Sequence, residues 1–154
     1  MALRKIRIDD DPILRKKSRP VEVFDDKLGM LLDDMRETLK KSGGVGLAAV
    51  QVGILKRVVV IDLGDGVKEL VNPEIIEREG EQREVEGCLS LPGRSGVTIR
   101  PMTVKVRAQN REGNWVLYKG SELAARCFCH EIDHLDGKLY IDTLAPGEKV
   151  YKDE

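Results

Sequence analysis

Between Asp25 and Lys41, the apolar residues Leu28, Leu31, Leu32, Met35 and Leu39 recur at helical spacing among charged ones. That period collects them on one side of a helix, so the segment is predicted to be amphipathic and to stop at Gly43 and Gly44. Pro12 to Lys17 predicts a short helical turn. From Arg57 to Leu63 the pattern changes to a β-branched, strand-like run. A Gly64-Asp65-Gly66 turn then leads into a second strand, Val67 to Val71. Ile75 to Val85 fits a hairpin about Glu79-Gly80. Val97 to Ile99 and Thr103 to Arg107 read as strands, the latter pairing with Trp115 to Tyr118 across Arg111 to Asn114.

A last helix follows, with Leu123, Cys127, His130 and His134 continuing one apolar stripe toward the core. Ser121 is its expected N-cap, Glu122 suits the positive end of its dipole, and Gly137 is its expected stop. Leu139 to Asp142 and a short charged tail, about 143–154, complete the chain. Strands followed by a single late helix predict an α+β fold, with antiparallel sheets packed around that helix.

Composition narrows the class. The 154 residues suit one catalytic domain over 1–154, and 41% hydrophobic with 34% charged residues is the balance of a soluble globular protein. A net charge of −1 gives no reason to expect nucleic-acid binding. No apolar run reaches membrane-spanning length, and the N-terminus lacks the apolar core of a signal peptide. Three cysteines with no C-x-x-C pair argue against a disulfide framework or a zinc knuckle, and predict a reducing cytoplasm.

The candidate chemistry begins in His130-Glu131-Ile132-Asp133-His134, which holds both histidines of the chain. On a helix, residues four apart lie about 40° apart in azimuth and about 6 Å along the axis, so two imidazoles can grip one metal ion. Glu131, one residue on, leans toward the open side of that ion, where a carboxylate serves as general base. Two nitrogens under-coordinate a metal, and catalytic sites usually have three protein ligands. Cys88, in Glu86-Gly87-Cys88-Leu89-Ser90, is the best candidate for the third. Cys129 points about 100° away from His130, and Cys127 reads as a buried free thiol. Gly43 to Gly53 holds Gln51, a neutral amide suited to donating to an oxyanion. Taken alone, Cys88 and Gln51 each also fit an ordinary buried thiol and a buried amide satisfied by backbone.

Together, Gly44-Val45-Gly46-Leu47-Ala48-Ala49-x-Gln51, Glu86-Gly87-Cys88-Leu89-Ser90 and His130-Glu131-x-Asp133-His134 resemble the three signature motifs of peptide deformylases, in the family's order and at similar separations. The resemblance spans essentially the whole chain. It implies a metal-dependent hydrolase that removes the N-formyl group from formylmethionine of newly synthesised polypeptides. One divalent metal would be held by Cys88, His130 and His134. The resemblance implies Fe²⁺ as the physiological ion, and Zn²⁺, Ni²⁺ or Co²⁺ can substitute.

In this reading Glu131 is the base, Gln51 and the backbone N–H of Leu89 stabilise the oxyanion, and Gly44 and Gly46 pair with an extended substrate. Asp133 is assigned a supporting salt bridge, with Arg100 or Arg107. N-formylmethionyl nascent peptides are the expected partners, with the ribosome a candidate contact and a monomeric chain. Two residues depart from the family pattern: Val50, where proline or asparagine is common, and Cys129, where glutamine is usual. The tail after Asp142 is too short for the C-terminal helix of some relatives. Two other readings compete, an H-E-x-x-H zinc peptidase and a non-catalytic metal-binding domain. The first lacks a downstream third ligand in register, and the second needs neither Glu131 nor Gln51.

Overall fold

A computed structural model describes residues 2–153. The expected first helix forms as α1, Asp26–Ser42. Asp25 caps it, its side chain accepting from the Leu28 N–H at 3.1 Å, which contributes about 1 kcal/mol. Gly43 ends it in the left-handed region, at φ 74°, where a Cβ would be strained. All five residues of the stripe are buried.

Seven strands follow around a second helix: β1 Gly46–Ala48, β2 Val58–Asp62, β3 Val67–Glu79, β4 Gln82–Cys88, β5 Leu91–Arg100, β6 Thr103–Gln109 and β7 Trp115–Ser121, then α2, Leu123–Leu135, and a short β8, Tyr151–Lys152. They make a five-stranded sheet, β1-β2-β3-β6-β7, and a three-stranded one, β4-β5-β8; every ladder is antiparallel. The fold is α+β, with the sheets gathered about α2.

The large sheet is covered on both faces, which explains the unbroken apolar run of β2. Val58 and Val60 pack with Leu28, Leu32 and Met35 of α1. Val59 and Ile61, pointing the opposite way, pack with Ala125, Phe128, Ile132 and Leu135 of α2. The expected stripe of α2 faces the core only in part: Cys127 and His134 are buried, Cys127 within the core cluster, whereas Leu123 is exposed and His130 lines a cavity that Cys127 also borders. Alanine, phenylalanine and isoleucine on the adjoining face outweigh them for the sheet.

Three further expectations are corrected. The hairpin about Glu79-Gly80 does not form: β3 runs on to Glu79 and pairs with β6, while β4 pairs with β5. Gly80, at φ 67°, turns the chain from one sheet into the other. The second strand does not end at Val71, because a bulge between Val71 and Glu74 lets it continue. Asn72 holds that bulge at φ 51°, accepting from Val21 N and donating to Val21 O and Gln109 Oε1 at 2.8–2.9 Å. Ser121 is not the cap of α2. It ends β7, and Glu122 turns the chain at φ 56° with no side-chain cap bond. In the tail, Tyr151 and Lys152 pair with Ser95 and Arg94 of β5. Among the described residues, no helix is long and apolar enough to cross a membrane.

Candidate active site

Helix α2 presents His130, Glu131 and His134 to the rim of the small sheet, where β4 ends at Cys88. A register shift between Glu86 and Cys88, followed by the Leu89-Ser90 turn, swings the Cys88 thiol toward the helix. Cys88 Sγ lies 3.4 Å from His134 Nε2. One donor atom each from Cys88, His130 and His134 fall within 4.8 Å of one another. Glu131 Oε2 sits 4.0 Å from His130 Nε2.

His130 is oriented from behind. Its Nδ1–H donates to Glu86 Oε1 at 2.8 Å, leaving Nε2 free to face Cys88 and His134. Glu86 is itself clamped: Arg100 donates from Nε to Oε2 at 2.9 Å and from Nη2 to Oε1 at 3.1 Å, and Thr98 donates to Oε2 as well. Arg100 Nη1 reaches on to Asp133 Oδ2 at 2.6 Å. Burial alone would raise the Glu86 carboxyl, but hydrogen bonds from His130 and Arg100 outweigh it and bring it down to about 2. Of the two arginines expected for Asp133, Arg100 is the partner, and Arg107 stacks on Trp115.

The electrostatics of the cluster favour a cation. Burial pushes Glu131 up to about 7. Burial opposes charge on His130, yet Cys88, Glu131 and Glu86 pull it well above the usual histidine range. His134 is driven well below that range by burial and by His130, so it is a neutral imidazole with a lone pair to give. Glu131 Oε1 and His134 Nδ1 are buried with no hydrogen-bond partner among the described residues. A cysteine sulfur and two imidazole nitrogens converging within 4.8 Å fit a borderline divalent ion.

Gln51 is held with its amide in one orientation. Its Oε1 accepts from Ala48 N at 2.9 Å, and its Nε2 donates to Ser90 Oγ at 3.1 Å and lies 3.7 Å from Cys88 Sγ. The 3₁₀ turn Ala49–Val52 that carries it is buried throughout. Ahead of it, β1 is an edge strand. Val45 O accepts from Asp62 N, so strand alternation leaves the backbone groups of Gly44 and Gly46 on the open edge. A Cβ on Gly46 would meet Glu131 Oε2 at 2.6 Å, so glycine is what lets β1 lie against the carboxylate. Gly44, Gly46, Gln51, Cys88, Leu89, His130 and Glu131 all border one cavity of about 400 Å³, and His134, fully buried, stands behind Cys88 at 3.4 Å from its sulfur.

The structure thus brings together every residue expected at the site. Reasoning from sequence misses Ser90 and the Glu86–Arg100 clamp. Glu86 carries a signal, since it stands two residues before Cys88, but its partners Thr98 and Arg100 lie across a ladder that no local pattern reveals. Cys127 lines the cavity as well, its thiol pushed by burial up to about 12. Cys129 is buried and its thiol is raised to about 11 by burial, so it is poorly suited to oxidation.

Comparison with known proteins adds an independent line. A family model described as polypeptide deformylase matches residues 3–150. The chain is 61% identical over 144 residues to a peptide deformylase of Alkaliphilus metalliredigens, covering 94% of this chain and 98% of that one. Among solved structures it resembles a peptide deformylase of Thermotoga maritima, with a TM-score of 0.92, 42% identity, and coverage of 95% and 100%. One from Legionella pneumophila gives a TM-score of 0.91, 44% identity, and coverage of 94% and 88%.

Proposed function

The chain belongs to the polypeptide deformylase family, a family of metalloenzymes, and from that premise we propose how its own residues carry out deformylation. The reaction is hydrolysis of the formamide C–N bond at the N-terminal formylmethionine of new polypeptides. The observation that carries the assignment of roles is the convergence of Glu131, Gln51 and the Cys88–His130–His134 cluster on one cavity.

Cys88, His130 and His134 would hold a divalent ion, which would supply Lewis acidity and lower the pKa of water in the site. Glu131 Oε2 removes the proton from the attacking water and delivers it to the departing amine. The amide N–H of Gln51 and the backbone N–H of Leu89 donate to the oxygen that gains charge as water adds to the formyl carbon. Fixing Gln51 through Ala48 and Ser90 means that no reorganisation is needed at that moment. The open edge at Gly44 and Gly46 holds the substrate backbone as an added strand. Leu89, Leu123 and Cys127 form the apolar wall for the methionine side chain.

The ion in this reading is Fe²⁺. The whole chain acts as one catalytic domain, a monomer that meets nascent peptides in the cytoplasm at the ribosome. Formate release from a formyl-Met peptide, measured beside its acetyl-Met analogue on metal-loaded protein, tests the assignment. Release from the formyl peptide alone is expected, because an extra methyl crowds the carbon between Gln51 and Leu89. Equal turnover of both would overturn it.

A further inference from the structure

Residues 2–9 form a strap that reaches the oxyanion donors from behind, without bordering the cavity. It is anchored first on α1, where Ala2 N–H donates to Asp34 Oδ1 at 2.8 Å and Arg4 N–H to Thr38 Oγ1 at 2.9 Å. Arg4 Nη2 also pairs with Asp34 Oδ2 at 2.9 Å. The strap then crosses the turn that carries Gln51, where Arg7 N–H donates to Gln51 O at 2.7 Å. Two residues on, Asp9 N–H donates to Ser90 O at 2.8 Å, and the Asp9 carboxylate pairs with Arg94 of β5. The side chains of Arg7 and Asp9 are exposed, so only their backbone touches the site's framework.

These two bonds matter because the oxyanion donors come from different sheets. Gln51 stands on the turn between β1 and β2 of the large sheet, and Leu89 on the turn between β4 and β5 of the small one. The bond from Gln51 Nε2 to Ser90 Oγ joins the two turns through side chains. The strap adds a backbone tie over the same gap. Two residues of chain span at most about 7 Å, so Gln51 O and Ser90 O cannot drift apart while both bonds hold. Asp9 closes the tie at φ 56°, a conformation that aspartate tolerates and β-branched residues resist.

We propose that Arg7 and Asp9 are positioning residues of the deformylation site, whose backbone N–H groups set the separation between the Gln51 amide and the Leu89 N–H. This rests on the oxyanion roles assigned above and adds to them what holds the two donors in register. The strap does not reach the open edge at Gly44 and Gly46, so its effect falls on kcat and spares KM. A misplacement of about 1 Å costs roughly 10²-fold in rate, so loosening by a fraction of that costs about ten-fold.

The test measures formate release from a formyl-Met-Ala-Ser peptide, with the metal content of each preparation. Arg7→Pro removes the N–H that holds Gln51 O, whereas Arg7→Ala keeps it. Arg7→Pro should lower kcat about ten-fold with KM and metal unchanged, and Arg7→Ala should stay near wild type. In a Gln51→Ala protein the donor is already gone, so adding Arg7→Pro should cost less than about two-fold, whereas a general loosening of the fold would multiply the two losses. Asp9→Val, strained at φ 56°, should be as slow as Arg7→Pro, and Asp9→Asn, which tolerates that φ, should keep most of the rate. Wild-type kcat in folded Arg7→Pro, the same loss in the Gln51→Ala background, or Arg7→Ala as slow as Arg7→Pro would overturn the proposal. If Arg7→Pro does not fold, the Asp9 pair decides, and wild-type kcat in Asp9→Val overturns it. Any of these results beside formate from the wild-type protein removes only the role of the strap. No formate from the wild-type protein removes the deformylase reading and this proposal with it.

Discussion

Replacing Gly46 with alanine is the most discriminating perturbation of the proposed general base, because it leaves every reacting group in the chain. The new Cβ would stand 2.6 Å from Glu131 Oε2 and 2.9 Å from its Cδ and Cγ. Ordinary contact begins at 3.4 Å, so the carboxylate must retreat by about 0.8 Å. Glu131 is buried against α2, and the close-packed interior resists such a shift. A misplacement near 1 Å costs roughly 10²-fold in rate, or about 2.7 kcal/mol of barrier. Overpacking adds about 1–3 kcal/mol of lost stability. The Gly46 backbone remains free to pair with substrate, so the fall should appear in kcat with KM little changed. Steady-state formate release, metal content and thermal unfolding on one preparation would show it. Wild-type kcat in a folded, metal-replete Gly46→Ala protein would refute the reasoning, and loss of metal would show that the damage runs through the ligands instead.

Glu131→Gln should keep its metal and lose about 10²–10⁴ in turnover, whereas Cys88→Ala should fail to retain metal by elemental analysis. Glu86→Gln leaves Arg100 with Asp133 as its remaining carboxylate partner. It should cost up to about 3 kcal/mol in denaturant unfolding, below the loss of a wholly unpaired buried charge, and weaken metal binding about 10–100-fold, since His130 loses its orienting carboxylate; an unchanged metal titration would remove Glu86 from that role. Iron-loaded protein should lose activity in air while a nickel form survives, with mass gained on the Cys88 peptide and not on those of Cys127 or Cys129, whose raised thiols stay protonated. An iron form as air-stable as the nickel one would count against a thiolate beside iron.

Local period makes much of this fold legible in the sequence. The Leu28–Leu39 stripe, its Asp25 cap and its Gly43 stop are short-range features, decided by which side chains share a helix face and which residue tolerates a positive φ. The β6–β7 hairpin is readable for the same reason. So is the His130–Glu131–His134 spacing, because four residues of helix place two imidazoles side by side whatever surrounds them. The resemblance to three family motifs supplies what period alone leaves open for Cys88 and Gln51.

What the tertiary structure decided is everything that depends on which strand meets which. β3 and β4 look like neighbours in sequence, yet a bulge at Asn72 and a turn at Gly80 send them to different sheets. The face of α2 turned to the core was set by Phe128 and Ile132 meeting β2 and β6, leaving His130 for the cavity and Cys127 at the edge between the two. Glu86, Thr98, Arg100 and Asp133 lie far apart along the chain, and only ladder register and the seating of α2 bring them to one buried network. Pairing of buried charges is a long-range electrostatic requirement with no period of its own, so the sequence holds its members without showing that they meet.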